Sequence, residues 1–434
     1  MTKRESNRHV GIIGMGYVGL PLALAFTSVE TKIIGFDVDQ SKVSALNNGH
    51  SYLNHIKSDE IKGVVDKGLF SATDDFSKLR DVDDIVICVP TPLSKHREPD
   101  LSAVLTTGRE IAKYLQPEQL VVLESSTYPG TTDEELCAVL EESGLKANKD
   151  FYLAYSPERE DPGNKSYSTM NIPKVVGADT PKGKKLAESL YSLIVPSVVG
   201  VSSSRVAEAV KLTENIFRSV NIALVNELKI IFEEMNIDIW EVIEAASSKP
   251  FGYMPFYPGP GLGGHCIPID PFYLTFKARE FDVPTRFIEL AGEINSSMPK
   301  RVVSTCARIL SAESEKPVKN AKILIVGMAY KPNVDDMRES PALVLIDLFE
   351  ERGAHVDYYD PFISEVPPTR EYSQITGRKS IELTAEALSK FDLVLLSTNH
   401  DQVDYQLVAD NVEIVVDTRN AFRDISGKAK IFKA

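Results

Sequence analysis

The stretch His9-Val-Gly-Ile-Ile-Gly14-Met-Gly16-Tyr17-Val18-Gly19-Leu-Pro21 decides the reading of the fold. A short apolar strand runs into Gly14-Met-Gly16-Tyr-Val-Gly19, and a helix-like run from Leu20 to Phe26 follows. Strand, GxGxxG and helix in that order form the dinucleotide fingerprint. It supplies a tight turn, room for a pyrophosphate, and a closely packed helix whose N-terminus favours anions. The motif alone is weak. Here a second strand, Lys32-Ile-Ile-Gly-Phe-Asp37, ends in an acid at the expected distance. That carboxylate can bind the ribose diol of NAD and would repel the extra phosphate of NADP. Lys42, one turn along the next helix, can reach the adenosine side or stay in solvent.

Working outward, further Val/Ile-rich runs alternate with helical stretches: Asp84 to Val89, Leu120 to Leu123, Phe151 to Tyr155, Lys174 to Gly177 and Ser197 to Val201. Continuous apolar strands between helices indicate a parallel sheet buried on both faces, hence an α/β, doubly wound fold. Polar motifs follow where such strands stop, the edge at which open α/β sheets bind ligands. They are Val89-Pro-Thr91-Pro92, Glu124-Ser-Ser-Thr127-Tyr-Pro-Gly130 and Ser156-Pro-Glu158-Arg159-Glu160-Asp-Pro-Gly163. Singly, each is more often a cap or turn; their shared edge is what suggests a site.

From Ser204 to about Met235 runs a breaker-free stretch too long for a crossover helix, expected to be a spine between domains. Lys211, Asn215 and Arg218 stand at i, i+4 and i+7, so they share a face. A solvated stripe is the ordinary reading. An Asn at mid-helix, on an otherwise apolar helix, needs another reason. After the spine comes Tyr257-Pro-Gly-Pro-Gly261-Leu-Gly-Gly-His265-Cys266-Ile-Pro-Ile-Asp270-Pro271, which puts one cysteine directly after a glycine-rich loop. It reads equally as a tight turn around a buried thiol or as backbone wrapped on a ligand with a nucleophile presented to it. Ala321-Lys-Ile-Leu-Ile-Val-Gly327-Met-Ala-Tyr330-Lys331 opens a second strand-then-glycine unit without GxGxxG, so the fold is expected to repeat with a different ligand. Lys331 and Arg419 can pair with a diphosphate. The expected domains are 1–203, a dinucleotide-binding Rossmann domain; 204–300, a central helical domain with the cysteine loop; and 301–434, a second Rossmann-like domain.

The 434 residues carry a formal charge of −14, which argues against nucleic acid or an anionic membrane as partner. The four cysteines, Cys88, Cys137, Cys266 and Cys306, are far apart, so neither a disulfide framework nor a metal site is expected. A polar N-terminus and the lack of a membrane-length apolar run point to a cytoplasmic protein.

Taken together these motifs resemble the UDP-glucose/GDP-mannose dehydrogenase family. The resemblance is carried by Gly14-Met-Gly16-Tyr-Val-Gly19-Leu-Pro21, Ser156-Pro-Glu158, Lys211-Leu-x-x-Asn215, Gly261-Leu-Gly-Gly-His-Cys266-Ile-Pro-x-Asp270 and Asp335-Asp-x-Arg338-Glu-Ser-Pro341. They span almost the whole chain in the family's order. Glu214-Asn-Ile-Phe-Arg218 and His265-Cys-Ile-Pro268 resemble the N-acetylhexosamine branch. Ser156 to Gly163, with Lys249-Pro-Phe-Gly252, resembles bacterial UDP-N-acetylglucosamine 6-dehydrogenases of surface-polysaccharide pathways; UDP-N-acetylmannosamine and UDP-glucose remain alternative substrates.

The resemblance implies a four-electron oxidation of a UDP-N-acetylhexosamine at C6, with two NAD in succession and one water. An aldehyde cannot lose hydride directly to become an acid. Cys266 would therefore add to it, giving a thiohemiacetal and then a thioester that water cleaves. By position, Lys211 and Asn215 would stabilise the developing oxyanion, Asp270 with Thr127 would hold water, and Glu158 would assist hydrolysis. NAD would meet Gly14, Gly16, Tyr17, Val18, Gly19, Asp37, Lys42, Thr91, Thr127 and Arg338. The sugar nucleotide would meet Arg159, Glu160, Lys211, Asn215, Arg218, Gly261, Tyr330, Lys331 and Arg419, in the last domain and its surroundings. The UDP-glucose enzymes add an arginine from a neighbouring subunit just ahead of the cysteine loop; Phe251 to Phe256 contains none. A homodimer or higher homo-oligomer built on the spine helix is expected.

Overall fold

The computed structural model of the protein describes residues 8–53, 56–94, 98–159, 170–264, 267–369 and 372–434. His265, Cys266 and Glu160 lie outside the described residues. The chain forms two compact units, Met1–Asn215 with Phe272–Pro284, and Ile216–Pro271 with Thr285–Ala434.

The first unit is built on eight strands: β1 (His9–Ile13), β2 (Lys32–Phe36), β3 (Phe70–Thr73), β4 (Asp84–Ile87), β5 (Leu120–Leu123), β6 (Tyr152–Tyr155), β7 (Lys174–Gly177) and β8 (Val198–Val201). They lie in the order β3-β2-β1-β4-β5-β6-β7-β8. Ile12, Val86, Val122 and Ala154 point into one core with Leu20, Phe26 and Tyr191. The alternate residues Ile13, Ile87, Leu123 and Tyr155 point into another with Val104, Ile111 and Leu136. Successive side chains leave a strand on opposite faces, so an uninterrupted apolar run is what a sheet covered by helices on both sides requires. Each such side chain contributes roughly 1.5–3 kcal/mol on burial. One pairing departs from the all-parallel expectation: β7 runs antiparallel to β6, meeting it at Tyr155 and Gly177, and β8 then runs parallel to β7. The apolar pattern of a buried strand carries no sign of its direction.

The helix Ser204–Glu234 covers 31 residues, as the sequence predicts, and passes from the first unit into the second. The second unit holds a wholly parallel sheet of β9 (Lys322–Val326), β10 (His355–Tyr359), β11 (Leu393–Leu396), β12 (Ile414–Asp417) and β13 (Lys430–Lys433), ordered β10-β9-β11-β12-β13. Ile323, Ile325, Leu395 and Val416 share a core with Val302, Cys306, Leu345 and Phe349 of the helices Arg286–Ser314 and Pro341–Glu351. Leu324, Val326, Val394 and Val415 form the opposite core. Among the described residues, no helix is long and apolar enough to cross a membrane.

Candidate functional site

In the first unit the fingerprint turn follows β1. Gly14 has φ +95°, and a Cβ there would stand 2.5 Å from the Cys88 carbonyl oxygen, so only glycine lets the chain turn against β4. Its N–H donates to the Phe36 carbonyl at 2.8 Å, tying the turn to the end of β2. Gly16 faces open space: a Cβ there would meet nothing within 4 Å. Val18 precedes the helix Gly19–Thr27 without a side-chain cap, and Tyr17 packs on the core beside it. Asp37 follows β2, 7% exposed; its carboxylate accepts from the N–H of Met15 at 3.0 Å and of Asp39 at 2.9 Å. Lys42 Nζ lies 3.3 Å from it. An open glycine, a helix start with no capping side chain among the described residues, and a carboxylate at the next strand's end together fit a dinucleotide.

Thr91, Thr127, Glu158 and Arg159 follow strands of this sheet at the same edge. Thr91 is 2% exposed and its carbonyl accepts from the Tyr273 hydroxyl at 2.6 Å. Thr127 is fully buried and its hydroxyl donates to the Tyr128 carbonyl at 3.0 Å. Lys211 and Asn215 are both buried on the long helix, and Lys211 Nζ donates to the backbone carbonyl of Glu158. The Glu158 carboxylate accepts from the N–H of Arg159 at 2.7 Å, while the Arg159 guanidinium binds the Pro173 carbonyl and Glu214, each at 2.7 Å. Lys211 and Glu158 therefore come together, and Asn215 is buried one turn further along the same helix. Arg218, the third member of the expected face, is exposed instead.

Three buried groups here, Lys174, Tyr191 and Glu208, were not singled out in the sequence. Lys174 Nζ lies 3.0 Å from Glu124 and 3.3 Å from Glu158. The Tyr191 hydroxyl also donates to Glu124, whose carboxyl is pushed up to about 7 by burial, against the opposing pull of Lys174. Glu208, three residues before Lys211, accepts from the N–H of Gly130 at 2.8 Å and of Thr132 at 2.9 Å, and from the Thr132 hydroxyl at 2.6 Å. Burial raises its carboxyl to about 7, with those bonds from Thr132 and Gly130 acting the other way. The available signal was a carboxylate on a helix face that also carries a buried lysine.

In the second unit the glycine-rich loop before Cys266 lies against the predicted nucleotide residues. A Cβ at Gly259 would stand 2.5 Å from a guanidinium nitrogen of Arg419, and one at Gly263 would stand 2.6 Å from Cβ of Tyr330. Pro299 and Pro341 border Gly261. The Gly264 N–H donates to the Arg338 carbonyl at 3.0 Å. Arg419 Nε donates to the Ser397 carbonyl at 2.8 Å; burial lowers its guanidinium to about 10, so it stays a cation at neutral pH. Lys331 Nζ sits 5.7 Å from the Tyr330 ring centre. The loop is anchored from behind by amides: the Gly259 N–H donates to Asn226 at 3.0 Å, and Asn226 donates to Asn295 at 3.0 Å. Arg338 turns its guanidinium onto Asp336 at 2.6 Å. Asp270, fully buried, opens the helix Asp270–Arg279.

A glycine turn fitted to a dinucleotide, joined to a second α/β unit with cations around a glycine loop, defines a dinucleotide-dependent enzyme of Rossmann type. Family models for the UDP-glucose/GDP-mannose dehydrogenases match residues 8–195 (NAD binding domain), 205–297 (central domain) and 324–424 (UDP binding domain). The chain belongs to that family and is an NAD-dependent UDP-sugar dehydrogenase. It is 36% identical over 424 residues to Protein CapL of Staphylococcus aureus, covering 97% of this chain and 96% of that protein. It is 37% identical over 365 residues to the UDP-N-acetyl-D-glucosamine 6-dehydrogenase of Pseudomonas aeruginosa, covering 84% and 85%. Among solved structures, the UDP-N-acetyl-D-mannosamine dehydrogenase of Pyrococcus horikoshii superposes with a TM-score of 0.87 at 29% identity, over 98% of each chain.

Proposed function

We propose that this protein oxidises the C6 alcohol of UDP-N-acetylglucosamine to the carboxylate, supplying a uronate for surface-polysaccharide precursors in the cytoplasm. The observation that carries it is the buried pair Lys211 and Asn215, one helical turn apart, with Lys211 bonded to the Glu158 backbone. NAD, when bound, accepts the hydride of each oxidation. The backbone at Gly14, Gly16, Tyr17, Val18 and Gly19 would hold its pyrophosphate, Asp37 its ribose, and Lys42, Thr91, Thr127 and Arg338 its remaining parts.

Cys266 adds as thiolate to the aldehyde carbon. Lys211 and Asn215 place donors on the resulting oxyanion, where a fixed cation and amide in a dry site act most strongly. After the second hydride departs, Asp270 and Thr127 hold a water and Glu158 takes its proton; the C–S bond breaks and sulfur leaves with its electron pair. Arg159, Glu160, Arg218, Gly261, Tyr330, Lys331 and Arg419 bind the sugar nucleotide, the packing of Tyr330 and Arg419 on the glycine loop supporting the last four. Residues 1–203, 204–300 and 301–434 serve as NAD, catalytic and UDP-sugar domains. Phe217, Leu224 and Ile231, seven residues apart and 49, 51 and 44% exposed, support a second copy of the chain on the spine helix.

UDP-N-acetylmannosamine is the second reading. It is favoured by the 32% identity to the Pyrococcus horikoshii UDP-N-acetyl-D-mannosamine dehydrogenase over 96% of both chains. Turnover of UDP-glucose, UDP-N-acetylglucosamine, UDP-N-acetylmannosamine and UDP-N-acetylgalactosamine, with NADH counted per uronate, separates these. Two NADH per uronate with UDP-N-acetylglucosamine preferred is the expected result, with the second equivalent lost in Cys266→Ser. A preference for another sugar overturns the assignment, and one NADH with a stable aldehyde overturns the chemistry.

A further inference from the structure

The antiparallel pairing of β7 with β6 in the first sheet has a chemical consequence. Were β7 parallel to β6, its first residue would sit at the far edge of the sheet. Reversed, it brings Lys174 to the edge that carries Glu124, just after β5, and Glu158, just after β6. Lys174 is 3% exposed, Glu124 2%, and the ammonium stands 3.0 Å and 3.3 Å from the two carboxylates. The remaining groups facing the cluster are Tyr191, at the end of the helix Pro181–Tyr191, which donates to Glu124 and lies under Lys174 with its ring centre 5.2 Å away, and Cys88, just after β4. Lys211, from the long helix, bonds the Glu158 carbonyl.

Tyr191 and Cys88 are held neutral: burial, and next the charge of Glu124, push both well above their usual ranges. Burial works against the Lys174 charge, but Glu124 and Glu158 outweigh it and hold the ammonium above the ordinary lysine range. The cluster is thus two acids sharing one cation. A buried lysine with two carboxylates is more than a packing feature needs, because a single pair would already be neutral.

We infer that Lys174 is a positioning residue for Glu158, and that Glu124 and Lys174 act as a matched pair setting the charge of the Glu158 carboxylate. This rests on the reading of Glu158 as the base of thioester hydrolysis. In that step water bonds to the thioester carbon, one of its protons passes to Glu158, and the C–S bond breaks with the electron pair going to sulfur. Glu158 must be anionic beforehand. With Lys174 present, two carboxylates and one ammonium leave that anion available; once Glu158 takes the proton, Lys174 and Glu124 remain as a neutral pair. Lys174 also fixes one Glu158 oxygen while the Arg159 N–H fixes the other.

The test is the pH dependence of kcat in the wild type, Lys174→Met, Lys174→Arg, Glu124→Gln and Glu158→Gln. Each is measured at saturating NAD and with whichever of the four UDP-hexoses is turned over fastest. Losing the cation leaves two adjacent carboxylates, so the acid limb of Lys174→Met moves up by about 1–3 pH units, the size of a carboxylate shift from one neighbouring opposite charge. Losing the competing acid moves the limb of Glu124→Gln down. Lys174→Arg keeps it close to wild type. Opposite displacements in two variants of one cluster are not produced by general loss of structure. If Lys174→Met fails to fold, Glu124→Gln and Lys174→Arg carry the test by themselves. Limbs unmoved in these variants, while Glu158→Gln abolishes the limb, overturn the role of Lys174 and leave that of Glu158 intact. A wild-type limb in Glu158→Gln overturns the Glu158 reading itself and this inference with it.

Discussion

Asp37 and Asp360 hold the same place in two copies of one supersecondary unit. Each directly follows the strand beside the turn, and each accepts from the backbone N–H of the methionine after the turn glycine: Met15 to Asp37 at 3.0 Å, Met328 to Asp360 at 2.6 Å. The turn glycines match as well. Gly14 and Gly327 have φ +95° and +88°, and donate to Phe36 and Tyr359 at 2.8 and 2.9 Å. What separates the two is the rest of the shell. Asp360 also accepts from the N–H of Ala329 at 3.0 Å, Phe362 at 2.8 Å and Ile363 at 3.1 Å. His400 Nε2 completes it at 3.0 Å, and His400 Nδ1 accepts from the Asn333 N–H at 2.9 Å, so Nε2 is the donor. The second acid is sealed into the fold; the first keeps an edge towards Lys42.

That contrast predicts different outcomes for the same substitution. Asp37→Asn should raise KM for NAD about tenfold or more, the effect of losing a hydrogen bond to a charged group worth roughly 1.5–3 kcal/mol, and weaken discrimination against NADP. Asp360→Asn should lower Tm and leave KM for NAD unchanged. Steady-state kinetics with both cofactors and thermal melts decide it; equal use of NAD and NADP by the wild type would remove Asp37 from the ribose site.

Much of this was legible in the residues. Runs such as Leu120-Val-Val-Leu123 admit little besides a strand covered on both faces, and the long helix had no internal breaker. Two strands that no continuous apolar run marks, Phe70-Ser-Ala-Thr73 and Lys430-Ile-Phe-Lys433, each lie at an outer edge of their sheet. An edge strand has one neighbour and partial exposure, so it needs no continuous apolar run. Lys174 read only as the polar start of a strand because its chemistry depends on strand direction. The shared helix face of Lys211 and Asn215 was readable from their spacing, whereas their burial and the exposure of Arg218 follow from tertiary packing. Tyr330 and Arg419, 89 positions apart, are linked by the glycine loop rather than by any local pattern.

Glu208 ties the Gly130–Thr132 turn, just beyond Thr127, to the helix that carries Lys211. A glutamine there would turn an N–H₂ towards a backbone N–H, leaving a buried donor unsatisfied. Glu208→Gln should therefore cost about 1–3 kcal/mol and lower Tm. The folded carboxyl, at about 7, lies above its value in an unfolded chain. Between those two values the folded state binds more protons, so this group's contribution to stability falls as pH rises towards 7 and is level above it. Melts at pH 5 and pH 8 should show a larger deficit for Glu208→Gln at pH 5. An equal deficit at both would mean that Glu208 is ionised throughout.

The spine helix carries the last prediction. Phe217, Leu224 and Ile231 recur every seven residues, and Met235, one turn further, is 58% exposed. Seven-residue spacing keeps apolar side chains on one stripe of a helix, and a stripe this wide facing water is what a partner helix covers. The formal charge of −14 keeps the protein dispersed but does not hide that surface. Self-association should therefore bury it, and Leu224→Asp, which sets a carboxylate at the middle of the stripe, should shift the mass in solution to that of a single chain. Light scattering or sedimentation equilibrium reads this directly. Leu224→Met, which keeps the apolar volume, should leave the assembly intact. A wild type that is already monomeric at micromolar concentration would show that the stripe serves no contact between copies.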